Sequence, residues 1–469
     1  MFDHQSPFRI RLLNPFYIIR SFLFCSLLFC GSTCGAQKPN VILMVADDLG
    51  WGDVGYHTSE IKTPNIDALA ARGVQLDQFY VQPVCTPTRG ALMTGRYPIR
   101  LGLQCGVVRP WADHGLPLDE QTLPSGLKTA GYKTAIVGKW HLGHSKPEYL
   151  PTHRGFDQQY GHYNGALDYF THDRDGGHDW HRNDQRNDDE GYTTDLLGEE
   201  AARIIKQHDT DQPLFLYVPF NAPHSPIQAT ANWIKQYEHI TEKKRRIYAA
   251  MVASMDAAIG KIIAAADEHL PMDNTIVFFC SDNGGMLMFG SNNELRGQKG
   301  RLFEGGVRVP ALIAWEGKLT AGTKVTAPLH IVDLYPTLLG LAGAEVDQAK
   351  PLDGRDAWPT IADGAPTPHE HILLNANPFH GALREGDWKI IHNGQLTANV
   401  TEFMGKESWE LFNIAKDPNE KNDLATKRPE LLARLRAKLE ALAAEAVTPN
   451  IPPNKAPATF KVPAVWGEK

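Results

Sequence analysis

The chain has 469 residues, of which 42% are hydrophobic and 22% charged, with a formal net charge of −7. That length supports a large core and two domains, and the composition is ordinary for a soluble globular protein. The acidic balance excludes a broad basic face for nucleic acid, so any anionic ligand must be drawn by a local pocket.

At the start of the chain, Arg9, Arg11 and Arg20 precede the apolar residues 21–30, and small residues follow up to Ala36. This is the basic, apolar, small-residue order of a secretory signal with cleavage after Ala36. The apolar part is short for a membrane span, and no continuous apolar run beyond residue 36 is long enough to cross a bilayer, so no stable membrane insertion is expected. Phe29 and Thr33 are poor lipoprotein-box residues ahead of Cys30 and Cys34. Loss of residues 1–36 removes three Arg and Asp3 and moves the net charge from −7 to −9. It also removes three of the six cysteines, leaving Cys85, Cys105 and Cys280. Three cysteines do not make a disulfide scaffold. Cys280 lies in an apolar run and reads as a core thiol; Cys105 has no assignable role.

Short apolar runs at 41–45, 134–137, 214–218, 276–279 and 309–314 read as buried parallel strands. Between them, 63–72, 123–130, 193–207, Lys243–His269 and Ile331–Leu341 read as helices. The alternation predicts an α/β layered domain over residues 37–365. Residues 160–191, rich in His, Asp, Arg and aromatics, read as a long loop, equally a solvated surface or a substrate-contacting rim. An EF-hand at Asp173-Arg174-Asp175-Gly176 fails, because Gly and the terminal Glu are missing at their offsets. Residues 366–469 change texture. Strand-like pieces at 371–375, Trp388–His392 and Trp409–Asn413 precede a charged helix at 428–446, predicting a smaller α+β domain with a Pro-rich tail from Thr448 packed along the surface.

The residues just beyond the apolar runs carry the chemistry. Residues 41–45 lead to Asp47-Asp48, 276–279 to Asp282-Asn283, 134–137 to Lys139 and His141, and 214–218 to His224. Ligands of α/β sheets bind beyond the carboxyl ends of strands, so one shared site is expected. Three aspartates gathered together need a cation, and all-oxygen ligands suit Ca2+ or Mg2+ better than zinc. Cys85 stands just before Thr86-Pro87-Thr88-Arg89, where Pro87 favours a first helical turn. Helix N-termini attract anions and depress thiol pKa values. With Arg89, Lys139, His141, His224 and Lys299, the pocket suits a tetrahedral oxyanion ester, sulfate or phosphate.

The segment Cys85-x-Pro87-x-Arg89-x-x-Leu92-x-Thr94-Gly95 resembles the signature of the type I sulfatases, whose cysteine is oxidised to Cα-formylglycine by a maturing enzyme. GYKTAIVGKWHLG (131–143) resembles their second signature, and further matches are ADDLGWGDVGYH (46–57), APHSP (222–226), SDNGG (281–285) and LRGQKGRLFEGGVRVP (295–310). They run in the family's order from about residue 40 to 340, and PTHRGFD (151–157) is most similar to the arylsulfatase B-like branch. The resemblance implies the alkaline-phosphatase-like α/β fold, with a large mixed sheet flanked by helices and a smaller C-terminal domain with a short antiparallel sheet. It implies that Cys85, as formylglycine hydrate, attacks sulfur, and that Asp47, Asp48, Asp282, Asn283 and the modified residue hold Ca2+. It further implies Asp282 as base for the attack, Arg89 and Lys139 as stabilisers, and His224 and Lys299 as sulfate ligands and proton donors. His141 takes a proton from the remaining hydroxyl as sulfate leaves.

The animal members' disulfides have no counterpart cysteines here, which points to a bacterial exported protein, periplasmic or secreted. The 160–191 segment does not transfer, leaving His172, His178, Trp180, His181 and Arg182 as rim candidates only. The expected substrate is a sulfated carbohydrate of glycosaminoglycan or algal-polysaccharide type. Two other readings stand beside it: a phosphonate or phosphodiester hydrolase of the same superfamily, and a non-catalytic glycan-binding scaffold.

Overall fold

The strand Asn40–Ala46, NVILMVA, is buried along its whole length. Its alternate side chains enter two different cores, Val41, Leu43 and Val45 in one and Ile42, Met44 and Ala46 in the other. A strand apolar on both faces must be covered on both, and here helices cover each face. Pro64–Arg72, Thr193–Lys206 and Lys243–His269 bury residues in one core. Cys85–Thr94, Leu123–Thr129 and Leu334–Leu341 bury theirs in the other. By length and composition Lys243–His269 could cross a membrane, but 78% of its apolar window is buried inside the fold. Its Asp256 accepts the backbone N–H groups of Asn65 and Ile66 and so caps the neighbouring helix.

The computed structural model describes residues 37–345, 350–377, 380–393 and 407–468. The secretory signal expected at 1–36 lies outside them. Ten strands form one mixed sheet, in the order 323–325, 74–76, 311–314, 275–281, 40–46, 214–219, 133–139, 158–162, 181–182 and 185–186. The five strands Thr275–Ser281, Asn40–Ala46, Leu214–Pro219, Lys133–Lys139 and Gln158–His162 are mutually parallel. Their carboxyl ends therefore share one edge. Two expectations need correction. The run at 309–314 forms Ala311–Ala314 and pairs antiparallel with Thr275–Ser281; burial makes both strand directions look alike in sequence. Residues 160–191 are not one long loop: 160–162 finish the strand Gln158–His162, and two hairpins interrupt the rest, Asp173–Arg174 with Gly177–His178 and His181–Arg182 with Gln185–Arg186.

The C-terminal residues build an antiparallel sheet of Ile372–Asn377, His380–Glu385, Trp388–His392 and Trp409–Asn413, with the helix Pro429–Ala444. Leu373, Leu383, Ile390, Leu411, Leu435 and Leu439 share a core with Val41 and Leu43. A polar junction lies nearby. Buried Lys389 stands 2.9 Å from Glu304 and 2.9 Å from Glu420, and Glu420 also accepts the Glu304 N–H at 2.6 Å. One lysine cannot neutralise two buried carboxylates. Burial disfavours the charge on Glu304, but Lys389, Arg308 and Arg384 hold its pKa below the ordinary carboxyl value. Burial, reinforced by the charge on Glu304, overcomes Lys389 and pushes Glu420 up to about 7. The folded protein thus keeps a proton that the unfolded chain releases above 4.5. That contribution is full below pH 4.5 and is lost as pH rises through 7. Glu420→Gln is therefore expected to raise Tm more at pH 8 than at pH 5 in paired thermal melts; an equal difference at both pH values contradicts this account.

Candidate functional site

The shared edge of the parallel strands gathers residues far apart in the chain. Asp47 and Asp48 follow Asn40–Ala46, Asp282 and Asn283 follow Thr275–Ser281, Lys139 ends Lys133–Lys139, and His224 follows Leu214–Pro219. Cys85 starts the helix Cys85–Thr94, whose amino end carries no side-chain cap. Val84, Cys85, His141, His224 and Lys299 line one cavity of about 330 Å³. Asp48 and His141 adopt left-handed backbone conformations, φ 64° and 57°, which cost non-glycine residues energy and cluster at functional sites. Gly284 shapes the same edge: a Cβ there would meet the Gly305 carbonyl oxygen at 1.9 Å.

Opposite charges interlock below the cavity. Arg89 donates to Asp282 from Nε (3.2 Å) and Nη2 (2.8 Å), and Nη2 lies 3.4 Å from Asp47. The Lys139 ammonium pairs with Asp47, and Lys299 Nζ lies 2.6 Å from Asp48. Burial works against the charges on Asp47 and Asp48. Lys139 with His224 and Arg89, and Lys299 with His224, nevertheless hold the two carboxyls below the ordinary value. Three carboxylates thus meet three permanent cations. Asp48 Oδ2 and Asn283 Oδ1 are buried and accept no hydrogen bond, an arrangement that costs energy without a further partner. Three carboxylates plus a free amide oxygen form a hard-cation donor set. Asp47, Asp48, Cys85 and His224 also bring ligand atoms within 4.8 Å of one another. Within that group the thiol and imidazole are softer donors, and His224 Nε2 stands 3.7 Å from Asp48.

Cys85 Sγ lies 3.3 Å from Lys299 Nζ and 3.5 Å from Asp47. The helix start does not depress its pKa as expected. Burial, then the charges on Asp282 and Asp47, push the thiol well above its ordinary value, so residue 85 as cysteine is a protonated thiol.

His141 is neutral, because burial and the neighbouring Lys139 and Arg89 disfavour its protonation. Its Nε2 lies 3.0 Å from the Val108 carbonyl, which can only accept, so the proton is on Nε2. Nδ1 is then a lone pair, and it is buried without a partner. Gly165 leaves room for this ring, since a Cβ there would meet His141 Cε1 at 2.4 Å. Burial and Lys299 lower the pKa of His224, whose Nδ1 donates to the Ser225 carbonyl. The acidic neighbours of Lys299 overcome burial and keep its ammonium charged.

The rim candidates lie elsewhere. His172 is buried and stacks on Trp180 with ring centroids 4.6 Å apart. His181 stacks on Tyr163 and contacts Asp179 at 3.2 Å. His178 bonds the Asn187 carbonyl. Arg182 pairs with Glu200 and lines a larger cavity, about 680 Å³, with Lys133 and Leu214. Those two residues begin their strands, so that cavity opens at the opposite edge of the sheet from the charged cluster. The 160–191 segment instead reaches the site cavity through Gly165, Ala166 and Arg174, and Arg109 joins them from a separate loop. Sequence reasoning missed both arginines; the Asp-Gly pair after Arg174 was the available hairpin signal.

A family model described as Sulfatase matches residues 39–344. Arylsulfatase J of Mus musculus is 38% identical, covering 93% of this chain and 81% of that protein. N-acetylgalactosamine-6-sulfatase of Homo sapiens is 36% identical, covering 71% of this chain and 68% of that protein. Among solved structures, Ps i-CgsB in complex with k-i-k-neocarrahexaose superposes with a TM-score of 0.80 at 34% identity, covering 88% of this chain and 94% of that one. With the strand-end cluster in place and nearly two thirds of the chain inside the family match, the chain belongs to the sulfatase family.

Proposed function

We propose that this protein releases inorganic sulfate from a sulfated carbohydrate, using Cα-formylglycine made from Cys85 and a Ca2+ or Mg2+ ion held by Asp47, Asp48, Asp282 and Asn283. The observation that carries this reading is the setting of Cys85. A neutral, buried thiol is a poor nucleophile, yet it occupies the centre of a fully assembled oxyanion cluster. As a hydrated aldehyde, residue 85 offers one hydroxyl to attack sulfur and a second whose deprotonation expels sulfate. The bound cation supplies a positive centre that polarises the ester and favours an ionised hydroxyl.

The chain's own groups do the rest. Lys139 and Arg89 lie buried behind residue 85 and stabilise negative charge there. Asp282 accepts the attacking hydroxyl's proton. Lys299 and His224 sit on the cavity wall and bind the sulfate, and the charged Lys299 protonates the departing sugar oxygen. His141, with its free Nδ1, removes the second hydroxyl's proton. The charge balance agrees with an anionic substrate: three carboxylates offset by Arg89, Lys139 and Lys299 become a net positive cluster once a divalent cation is bound.

The saccharide complex of Ps i-CgsB and the kinship to N-acetylgalactosamine-6-sulfatases support a carbohydrate sulfate as substrate. The likeness to a phosphonate monoester hydrolase, at 20% identity, is one of fold alone. The basic, apolar and small residues of 1–36 support export to the periplasm or medium, with a formylglycine-generating enzyme as partner before or during export. Turnover of an aryl sulfate beside an aryl phosphodiester, followed by sulfate release from sulfated oligosaccharides, tests the reading. Sulfate ester is expected to turn over faster; faster diester turnover favours the phosphoester reading, and no turnover by matured protein favours a binding scaffold.

A further inference from the structure

Two arginines on the wall of the site cavity have no part in the chemistry above. Arg109 and Arg174 come from separate loops yet line the same 330 Å³ space as Cys85, His141, His224 and Lys299. Both are half-buried. No ion pair or side-chain hydrogen bond holds the Arg109 guanidinium among the described residues. Arg174 has only the exposed Asp175, 3.3 Å from Nε. The other guanidinium nitrogens of Arg174 have no carboxylate partner among the described residues. Burial, and then the charge on Arg174, lower the pKa of Arg109. Two cations on the wall of one cavity repel, an arrangement that loses energy until an anion joins it.

Their backbones are fixed, which makes this a formed surface rather than two loose side chains. Arg174 precedes the tight turn Asp175-Gly176, with φ 53° and 93°. Trp466 Nε1 donates to the Arg174 carbonyl at 2.9 Å, and Val465 of the tail forms a single parallel β-bridge with His178. Trp111, two residues after Arg109, bonds the Pro453 carbonyl and stacks edge-on against Phe460, which stacks on Trp466. The C-terminal tail therefore fastens both loops.

We propose that Arg109 and Arg174 form a second anion subsite beside the sulfate pocket, taking another sulfate, or a uronate carboxylate, of the same saccharide. This deepens the hydrolase reading and rests on it. Arg89 and Lys139 cannot serve such a group, because both are fully buried behind residue 85. A guanidinium pair suits a planar carboxylate or a sulfate by forked hydrogen bonds.

Calorimetry of the calcium-loaded full chain, produced without maturation so that Cys85 stays a thiol, separates the outcomes. The probes are galactose and N-acetylgalactosamine, each as 4-sulfate, 6-sulfate and 4,6-disulfate, plus a monosulfated disaccharide carrying glucuronate. The disulfate, or the glucuronate disaccharide if the second anion is a carboxylate, is expected to bind about tenfold tighter than the better monosulfate. That ratio should fall below about twofold in Arg109→Gln and in Arg174→Gln. Because the ratio is taken within one protein, a partly destabilised variant still reads it. Equal affinity for singly and doubly charged sugars in the unsubstituted protein overturns the subsite and leaves the hydrolase reading standing. No binding of any sulfated sugar, together with no sulfate release by matured protein, removes both.

Discussion

Cys85→Ala is expected to abolish sulfate release, lowering kcat by at least about 10³-fold, the scale on which removal of a covalent nucleophile acts. The substitution removes one sulfur from a buried position, at a cost of about 1 kcal/mol, so the variant should fold and its thermal melt should stay near that of the parent. Loss of activity with a retained melt therefore isolates the chemistry. The companion measurement is mass spectrometry of the tryptic peptide 73–89 from active protein, which should show residue 85 as an aldehyde rather than a thiol. Protein made without a maturing enzyme should carry the intact thiol and be inactive. The physical reason is the environment: burial, and then Asp282 and Asp47 beside it, hold the thiol protonated. Cys85→Ser, left as serine, sharpens the test. A single hydroxyl can attack sulfur but has no second hydroxyl to expel sulfate, so at most one turnover is expected. Full activity with an unmodified thiol at residue 85 would sink the mechanism.

Chelation should have the second large effect. Removing divalent cations is expected to cut turnover by about 10³-fold, a loss of several kcal/mol of charge stabilisation in the transition state. Calcium added to the chelated protein should restore it. The same binding appears in stability without any substrate. A ligand that binds only the folded state adds about 2.7 kcal/mol at a hundred times its Kd, so calcium should raise Tm. Asp48→Asn should remove most of that shift, since it takes a charge from the donor set next to the unpartnered Asp48 and Asn283 oxygens. A Tm indifferent to calcium and chelator in the parent protein would remove the cation from the account, even if sulfate release survived.

Much of the layered domain was legible because parallel strands buried on both faces leave continuous apolar runs. Residues 41–45 and 276–279 sit inside Asn40–Ala46 and Thr275–Ser281, and the charged residues after them fall on one edge. Strand direction was not legible, because a run such as Ala311–Ala314 looks the same whether it pairs parallel or antiparallel. His380–Glu385 was missed since its Gly-Ala pair and flanking charges break the apolar pattern. In the 160–191 segment polar composition left a solvated surface and a substrate rim equally open, yet Asp179 is buried, accepting the backbone N–H groups of Tyr163 and Asn164, and Trp180 is fully enclosed. Hydrogen-bond satisfaction, which composition does not record, decided its course.

The sequence by itself determined the family and the identity of the residues that follow the site-bearing strands, because those depend on local patterns and on motif spacing. Tertiary structure alone decided three further things. It set the protonation of Cys85 against the helix-start expectation, through burial and then the carboxylates of Asp282 and Asp47. It set the tautomer of His141, through the carbonyl of Val108, thirty-three residues away. It put Arg109 and Arg174, rather than His172, His181 or Arg182, on the cavity wall. Each depends on distances between segments remote in the chain, and charges and hydrogen bonds act over such distances in space, not along the sequence.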